Sequence, residues 1–192
     1  RTAAWETNVS ALSLLARACN EYRITLVHVS SDYVFDGTSE SPYSEDATFS
    51  PLGVYGQTKA AGDAVVATVP QHYILRTSWV IGEGNNFVRT MASLAERGIA
   101  PSVVNDQIGR LTFAQDLAHA IKHLLATQAP YGIYNLSNEG PATSWADVAA
   151  RVQSGRYGPM RPMLRLTRPV RCCLRGELAA SRRHRFQTLC PV

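Results

Sequence analysis

The sequence has no long apolar run, little cysteine and no initial methionine, and each absence narrows the class of protein. No apolar run reaches the roughly 20 residues that a membrane-spanning helix needs, so we expect no membrane partner. Only Cys19 lies in the first 154 residues and no Cys-x-x-Cys pair occurs, which indicates neither a zinc site nor a disulfide framework. The chain opens at Arg1 without a signal peptide, so we predict a cytoplasmic, N-terminally incomplete fragment.

Charge is unevenly distributed along the chain. Residues 1–154 carry ten Lys and Arg against fourteen Asp and Glu, a net charge of −4, whereas residues 155–192 carry nine Arg against one Glu, a net charge of +8. Two interpretations of residues 154–192 compete: a basic tail that binds nucleic acid, or a tail without an evolved fold, such as an out-of-frame read-through. The change is abrupt and lacks interleaved aromatic residues, which favours the second, so we predict an unfolded tail and no nucleic-acid partner.

The first 153 residues alternate between strand and helix patterns. Strand patterns lie at residues 24–30, 72–80, 102–104 and 133–136. The first of them is rich in β-branched residues without polar alternation, which suits a strand covered on both faces. Helical periodicity covers residues 5–22, 55–69, 87–97 and 112–127, and a last helix runs from the N-cap Ser144 to about residue 152. This alternation predicts an α/β domain with a largely parallel sheet.

The most informative stretch is Tyr55-Gly56-Gln57-Thr58-Lys59. On a helix, Tyr55 and Lys59 lie one turn apart on the same face. A lysine ammonium beside a phenol favours the phenolate and lowers the pKa of the tyrosine, which can then give a proton to a carbonyl oxygen as a hydride reaches the carbon. Tyr-x-x-x-Lys alone recurs by chance on solvated helix faces. Its context here is a predicted strand that ends at Ser30-Ser31-Asp32, and α/β sheets bind ligands at the carboxyl ends of their strands.

Together these stretches resemble the dTDP-4-dehydrorhamnose reductase family, within the extended short-chain dehydrogenases/reductases. The resemblance is carried by V-S-S-D-Y-V-F-D-G (29–37), P-L-G-V-Y-G-Q-T-K (51–59), I-L-R-T-S-W-V (74–80), G-N-N-F-V (84–88) and V-N-D-Q-I-G-R-L-T (104–112). It covers residues 1–153 and implies a partial Rossmann-like parallel sheet with helices on both faces, plus part of a small substrate-binding region. It also implies the NAD(P)H-dependent reduction of the 4-keto group of dTDP-4-dehydro-L-rhamnose to dTDP-L-rhamnose, a nucleotide sugar.

The resemblance implies roles for individual residues. Tyr55 would be the general acid, Lys59 would lower its pKa and bind the nicotinamide ribose, and Ser31 would hold the same carbonyl oxygen. Asn8 would support a proton-relay water. The cofactor-binding residues would be Tyr55, Lys59 and Ser30, and the substrate-binding residues would be Ser31, Asp32, Tyr33, Trp79, Asn86 and Arg110. From the sequence alone, Trp79 can equally be a packing residue and Arg110 a surface arginine.

The chain departs from the family pattern at both ends, and this leaves alternatives open. The Gly-rich first βα turn that binds the cofactor pyrophosphate is missing, so NADPH and NADH cannot be told apart and we expect the chain alone to bind either poorly. The resemblance allows Mg²⁺ and a homodimer. The alternatives are a non-catalytic regulatory subunit of the same fold, a related epimerase or dehydratase, and an inactive remnant. The joint presence of Ser31, Tyr55 and Lys59 favours the enzyme.

Overall fold

A computed structural model describes residues 1–39 and 41–155, together with the backbone of residues 164–166. Its helices are α1 (Thr2–Trp5), α2 (Ala11–Tyr22), α3 (Val54–Val66), α4 (Phe87–Glu96), α5 (Ala114–Ala126) and α6 (Trp145–Gln153). Its strands are β1 (Leu26–Ser31), β2 (His72–Thr77), β3 (Val80–Ile81), β4 (Ile108–Gly109), β5 (Thr112–Phe113), β6 (Gly132–Asn138), β7 (Thr143–Ser144) and β8 (Leu164–Leu166). A π-helix (Glu6–Ser10) joins α1 to α2, and a 3₁₀ helix (Asp32–Val34) follows β1.

The main sheet has four strands in the order β1-β2-β6-β8. The first three run parallel, and β8 pairs antiparallel with β6. Ser31 of β1 pairs with Thr77 of β2, which pairs with Leu136 of β6, so the carboxyl ends of the three parallel strands meet at one edge. The predicted α/β class with a parallel, Rossmann-like sheet is confirmed.

Apolar side chains on both faces of the sheet explain why its strands lack alternation. On one face, Tyr73, Leu75 and Tyr134 pack against Leu117 and Leu124 of α5. On the other face, Ile74 packs against Leu12 of α2 and Val66 of α3. Burial on both faces is typical of parallel strands between helical layers. The sheet is therefore the middle layer of a three-layer domain. Cys19 lies in the α2 part of this packing, as a buried free thiol.

Three element predictions need correction. The strand predicted at residues 72–80 ends at Thr77, because Trp79 adopts a left-handed conformation (φ 47°) that no strand continues through. Val80 and Ile81 then pair with β5 in a separate small sheet. The strand predicted at residues 102–104 does not form, and the carbonyl of Val104 instead accepts a hydrogen bond from the backbone of Ala146. The loop predicted at residues 105–110 contains β4, which pairs with β7.

The predicted last helix is confirmed, including its start. Ser144 accepts a hydrogen bond from the backbone N–H of Asp147, and Asp147 accepts one from the backbone of Ser144, so α6 begins with a capping box. Most of the Arg-rich segment predicted to be unfolded lies outside the described residues, and that prediction remains a prediction. In the described part of the chain, no helix combines the length and apolar character that crossing a bilayer requires.

Candidate active site

The site forms where β1 ends. Ser31 is buried, and its hydroxyl accepts a hydrogen bond from the backbone N–H of Tyr33 (3.2 Å), which caps the following 3₁₀ helix. The same hydroxyl donates to Oδ1 of Asp32 (3.0 Å). Ser30 is also buried, and its hydroxyl has no hydrogen-bond partner among the described residues. Three polar side chains are thus held at the edge where the parallel strands end.

Helix α3 brings Tyr55 and Lys59 to this edge. Its first turn lies so close to the strand end that a side chain at Gly56 would overlap the carbonyl oxygen of Tyr33. Tyr55 is 52 % exposed, and its ring meets that of Tyr33 edge-on at 5.6 Å between centroids. Lys59, one turn later, is buried. The structure therefore brings the predicted residues Ser31, Tyr55 and Lys59 to one end of β1, with the phenol accessible from solvent.

Of Tyr55 and Lys59, Lys59 is the buried residue. Its ammonium donates to the carbonyl oxygen of Val29 (2.7 Å) and lies 3.4 Å from Nε2 of His28. Burial lowers the pKa of Lys59, and the negative charge of Asp63 partly opposes that shift. His28 is the hydrogen-bonded core histidine that its place in an apolar strand suggests.

A buried cluster of polar and charged side chains, which includes Asp63, His28 and Arg76, lies beside the ammonium of Lys59. Asp63 accepts a hydrogen bond from Nε of Arg76 (3.1 Å), and its other oxygen lies 3.4 Å from His28 Nε2, an ion-pair distance without hydrogen-bond geometry. Arg76 also donates to the carbonyl of Glu45 (3.0 Å). Asp63 and Arg76 escaped the sequence analysis. The sequence did contain a signal for this ion pair. Asp63 lies one helical turn beyond Lys59, and an arginine in an apolar strand needs a buried partner.

The long loop between β1 and α3 folds back over the strand ends. Glu45 accepts a hydrogen bond from the backbone N–H of Asn135 on β6 (3.1 Å), and the side chain of Asn135 donates to the carbonyl of Tyr43 (3.0 Å). A cavity of about 40 Å³ remains beneath this loop. Its lining includes Asp32, Phe35, Tyr43, Arg76, Thr77, Ser78 and Asn135. Glu45 thus closes the loop onto the sheet.

Asn8 lies in the π-helix, and its amide donates to the hydroxyl of Thr58 on α3 (3.0 Å). Thr58 in turn donates to the carbonyl of Tyr55 (2.9 Å). The two helices approach closely here, because a side chain at Gly62 would meet the carbonyl oxygen of Asn8 at 2.6 Å. Single π turns inside helices are frequent at functional sites. Asn8 therefore contacts the segment between Tyr55 and Lys59.

The remaining predicted substrate residues lie along the adjoining segments. Trp79 is 9 % exposed, and its indole stacks on Trp145 (3.6 Å between centroids). The carbonyl of Arg110 lies 3.4 Å from the Ser78 hydroxyl that donates to it, so the loop carrying Arg110 adjoins the end of β2. A left-handed tryptophan is strained, and such strain clusters at functional sites. The packing interpretation of Trp79 has clear support, and its contact with substrate remains a prediction.

Asn86 caps helix α4. Its side chain accepts a hydrogen bond from the backbone N–H of Arg89 (3.1 Å) and donates to the carbonyls of Gly82 (2.8 Å) and Gly84 (3.2 Å). It also lines an open groove of about 1100 Å³ between the starts of α4 and α5. This groove is separate from the cavity beside Asp32, so Asn86 is not part of the Ser31–Tyr55–Lys59 cluster.

Comparison with known proteins places this geometry in a family. A family model described as the RmlD substrate binding domain matches residues 1–163. The chain belongs to this family. It is 45 % identical over 151 residues to the dTDP-4-dehydrorhamnose reductase of Salmonella typhimurium, covering 76 % of this chain and 50 % of that protein. It is 40 % identical over 158 residues to the reductase of the same name from Aggregatibacter actinomycetemcomitans, covering 79 % and 53 %.

Solved structures agree with the family assignment. The crystal structure of dTDP-4-dehydrorhamnose reductase from Bacillus anthracis in complex with NADP superimposes with a TM-score of 0.73 at 38 % identity, covering 78 % of this chain and 53 % of that one. A second such reductase, from Clostridium acetobutylicum, gives 0.73 at 35 % identity, covering 77 % and 52 %. The RmlD-family chain thus spans about half the length of the curated relatives it matches.

Proposed function

We propose that this chain carries the catalytic residues of an NAD(P)H-dependent reductase that converts dTDP-4-dehydro-L-rhamnose to dTDP-L-rhamnose. In the overall reaction a ketone, NAD(P)H and one proton give a secondary alcohol and NAD(P)⁺. The observation that carries the proposal is that helix α3 brings a half-exposed tyrosine, Tyr55, and a buried lysine, Lys59, against the strand that ends at the buried Ser31. The names of the relatives supply the substrate class.

Tyr55 is the proton donor in this proposal. Its ring is half exposed and packs edge-on against Tyr33, so the hydroxyl is accessible to a substrate that lies over the end of β1. As the 4-keto oxygen gains negative charge, the phenol transfers its proton to that oxygen, and the Ser31 hydroxyl donates a hydrogen bond to it. General acid catalysis of this kind contributes about 10²–10⁴-fold to a rate. Lys59 provides the positive charge that stabilises the resulting phenolate.

The residues present fit a nicotinamide nucleotide. Lys59 holds its ammonium at a fixed place through Val29, and the buried Ser30 hydroxyl lacks a hydrogen-bond partner within the described residues, so both can meet a polar ribose or amide group. Tyr55, Lys59 and Ser30 would hold the nicotinamide end, and the nucleotide would supply the hydride. No Gly-rich turn precedes β1 in this sequence to bind the pyrophosphate, so we expect weak binding by the chain alone.

On the sugar side, Asp32 and Tyr33 lie at the strand end beside Ser31, while Trp79 and Arg110 lie along the next segment. Arg110 would pair with a diphosphate oxygen and Asn86 would border the nucleotide groove. Across the described residues, no group of three or more His, Cys, Asp or Glu side chains could hold a metal ion, so we propose no role for Mg²⁺. A homodimer and a cytoplasmic location remain predictions.

Replacing Tyr55 tests the proposal. In a protein of the relatives' length, Tyr55→Phe should lower kcat by two to four orders of magnitude. Tyr22→Phe is the matched control, because Tyr22 is an exposed tyrosine at the end of α2. Equal turnover in the two variants would remove Tyr55 from its proposed role.

A further inference from the structure

The hydroxyl of Ser31 has only one hydrogen, and in this structure the carboxyl group of Asp32 accepts it. Oγ accepts from the backbone N–H of Tyr33 and donates to Oδ1 of Asp32 at 3.0 Å. A serine hydroxyl has one donor and two acceptor positions. While Asp32 accepts that hydrogen, Ser31 has none left to give to a substrate oxygen. The ionised form of Asp32 therefore opposes the role of Ser31 as a donor.

The surroundings of Asp32 favour its neutral form. Its carboxyl is buried, and Oδ2 has no hydrogen-bond partner among the described residues. The carboxyl group lines the cavity beneath the β1–α3 loop, where Thr77 Oγ1 also finds no partner within the described part of the chain. An unpaired buried carboxylate costs several kcal/mol, and a carboxyl group at such a place tends to keep its proton.

The charged and titratable groups around this cavity leave the neutral form of Asp32 favoured. Arg76, from β2, lines the cavity, but its guanidinium is bound to Asp63 and to the carbonyl of Glu45. Tyr43, from the loop, donates its hydroxyl to Asp36 (2.6 Å). Burial raises the pKa of Asp32 to about 6, while hydrogen bonds from Ser31 and from the backbone of Asp32 and Tyr33 oppose that shift.

We propose that Asp32 works as a neutral carboxylic acid that donates its hydrogen to Ser31 Oγ and so turns the Ser31 hydrogen toward the ketone oxygen of the substrate. Ser31 then accepts from Asp32 and from Tyr33 N–H and donates to the substrate, which uses all three of its hydrogen-bonding positions. Asp32 keeps its proton throughout the reaction. It is a positioning residue that acts through Ser31. The proposal rests on the proposed reductase function.

The first test needs no activity. The 192-residue chain is labelled with ¹³C at its Asp carboxyl carbons and studied by NMR. The resonance that disappears in Asp32→Asn belongs to Asp32, and its chemical shift is followed as the pH changes. We expect a titration midpoint near 6, and Ser31→Ala should move it, because the carboxyl group of Asp32 is hydrogen-bonded to Ser31 Oγ. A midpoint near the ordinary aspartate value of about 3.9, or one that Ser31→Ala leaves unchanged, would overturn the proposal.

The second test uses the pH dependence of turnover in a protein of the relatives' length. Above about pH 6, wild-type kcat/KM should fall by up to tenfold for each pH unit. Asparagine is a permanent donor at this position, so in Asp32→Asn the ratio of the rates at pH 8 and pH 6 should be close to one. Asp36→Asn should follow the wild-type profile, because hydrogen bonds from Tyr43 and Thr38 hold the pKa of Asp36 at about 2.

The two tests distinguish a failure of the positioning role of Asp32 from a failure of the reductase proposal. An Asp32→Asn profile that falls like the wild type would contradict the positioning role of Asp32. If no version of the protein reduces the sugar, the reductase proposal fails, while the titration of Asp32 with and without Ser31 still decides the link between the two residues. If Asp32→Asn does not fold, Asp32→Glu removes the same resonance from a protein labelled only at Asp, so the titration stays decisive.

Discussion

The ammonium of Lys59 lies 2.7 Å from the carbonyl oxygen of Val29, on the strand that ends at Ser31. Helix α3 and strand β1 are therefore joined by the lysine that stands one turn after Tyr55. This bond fixes the ammonium relative to both the phenol and the strand end. It also satisfies a carbonyl oxygen at the open edge of β1, since β1 pairs only with β2 among the described strands.

Lys59→Met should remove the positive charge and leave most of the side-chain volume. We expect turnover to fall by about 10²–10³-fold, the usual cost of losing one preorganised electrostatic contact in an active site. The control is Lys122→Met, because Lys122 is the other lysine of the sequence and is exposed on α5. Initial rates at saturating substrate measure the effect, and equal rates for both variants would contradict it.

Gly56→Ala should disturb the junction between α3 and the end of β1. The added methyl group would overlap the carbonyl oxygen of Tyr33, so the backbone must move. Overpacking of this kind costs about 1–3 kcal/mol in unfolding free energy, and it should also displace Tyr55. Gly53→Ala is the matched control, since a side chain there meets no atom of the described residues within 4 Å. Urea denaturation of both variants makes the comparison, and equal midpoints would show that the contact does not matter.

Asp63→Ala should be among the most destabilising single substitutions in the chain. It leaves the guanidinium of Arg76 buried without its carboxylate and also removes the oxygen that lies 3.4 Å from His28 Nε2. Breaking one side of a buried ion pair typically costs about 3–5 kcal/mol. Asp46→Ala, an exposed carboxylate in the β1–α3 loop, should change stability little. A small loss of unfolding free energy in Asp63→Ala would show that water reaches Arg76.

Stability should depend on pH through Asp32. Its pKa is raised to about 6 in the folded protein, so between about pH 4 and pH 6 the folded state binds more protons than the unfolded state. The unfolding free energy contributed by Asp32 is therefore fully present below pH 4 and is lost as pH rises through 6. The loss amounts to about 3 kcal/mol at 1.36 kcal/mol per pKa unit.

The Asp32→Asn variant has no titrating group at this position, so it does not lose this unfolding free energy as the pH rises. The difference in unfolding free energy between Asp32→Asn and wild type should therefore grow in favour of the variant from pH 4 to pH 7. Denaturation at each pH gives the difference directly, which cancels the opposite contributions of carboxyl groups such as Asp147, whose pKa is lowered by its hydrogen bonds to Ser144. A difference that stays constant with pH would mean that Asp32 is ionised in the folded protein.

The sequence was sufficient for the positions of Ser31, Tyr55 and Lys59, because two local rules determine them. Parallel strands present ligand contacts at their carboxyl ends, and residues four apart on a helix share a face. Neither rule involves distant parts of the chain. The family motifs carried the remaining site predictions, including Trp79 and Arg110, for which local periodicity offers no signal.

Other features depend on long-range contacts and could not be predicted in this way. Trp79 looks like a strand residue, yet it stacks on Trp145 and breaks the strand by adopting a left-handed conformation. The role of Glu45 arises from Asn135, ninety residues away in sequence. The hydrogen bond between Ser31 and Asp32 joins neighbours in sequence. Which of the two residues donates depends on whether the carboxyl group of Asp32 is protonated. That in turn depends on its burial beneath the β1–α3 loop.

The central claim is that Tyr55, Lys59 and Ser31 form a reductase site that needs further chain for its cofactor. The most direct measurement is the formation of dTDP-L-rhamnose from dTDP-4-dehydro-L-rhamnose and NADPH, by this chain and by a version extended at its N-terminus to the length of its relatives. We predict product from the extended protein, little from the 192-residue chain, and a loss of two to four orders of magnitude with Tyr55→Phe. Absence of product from both proteins, or undiminished turnover by Tyr55→Phe, would contradict the claim.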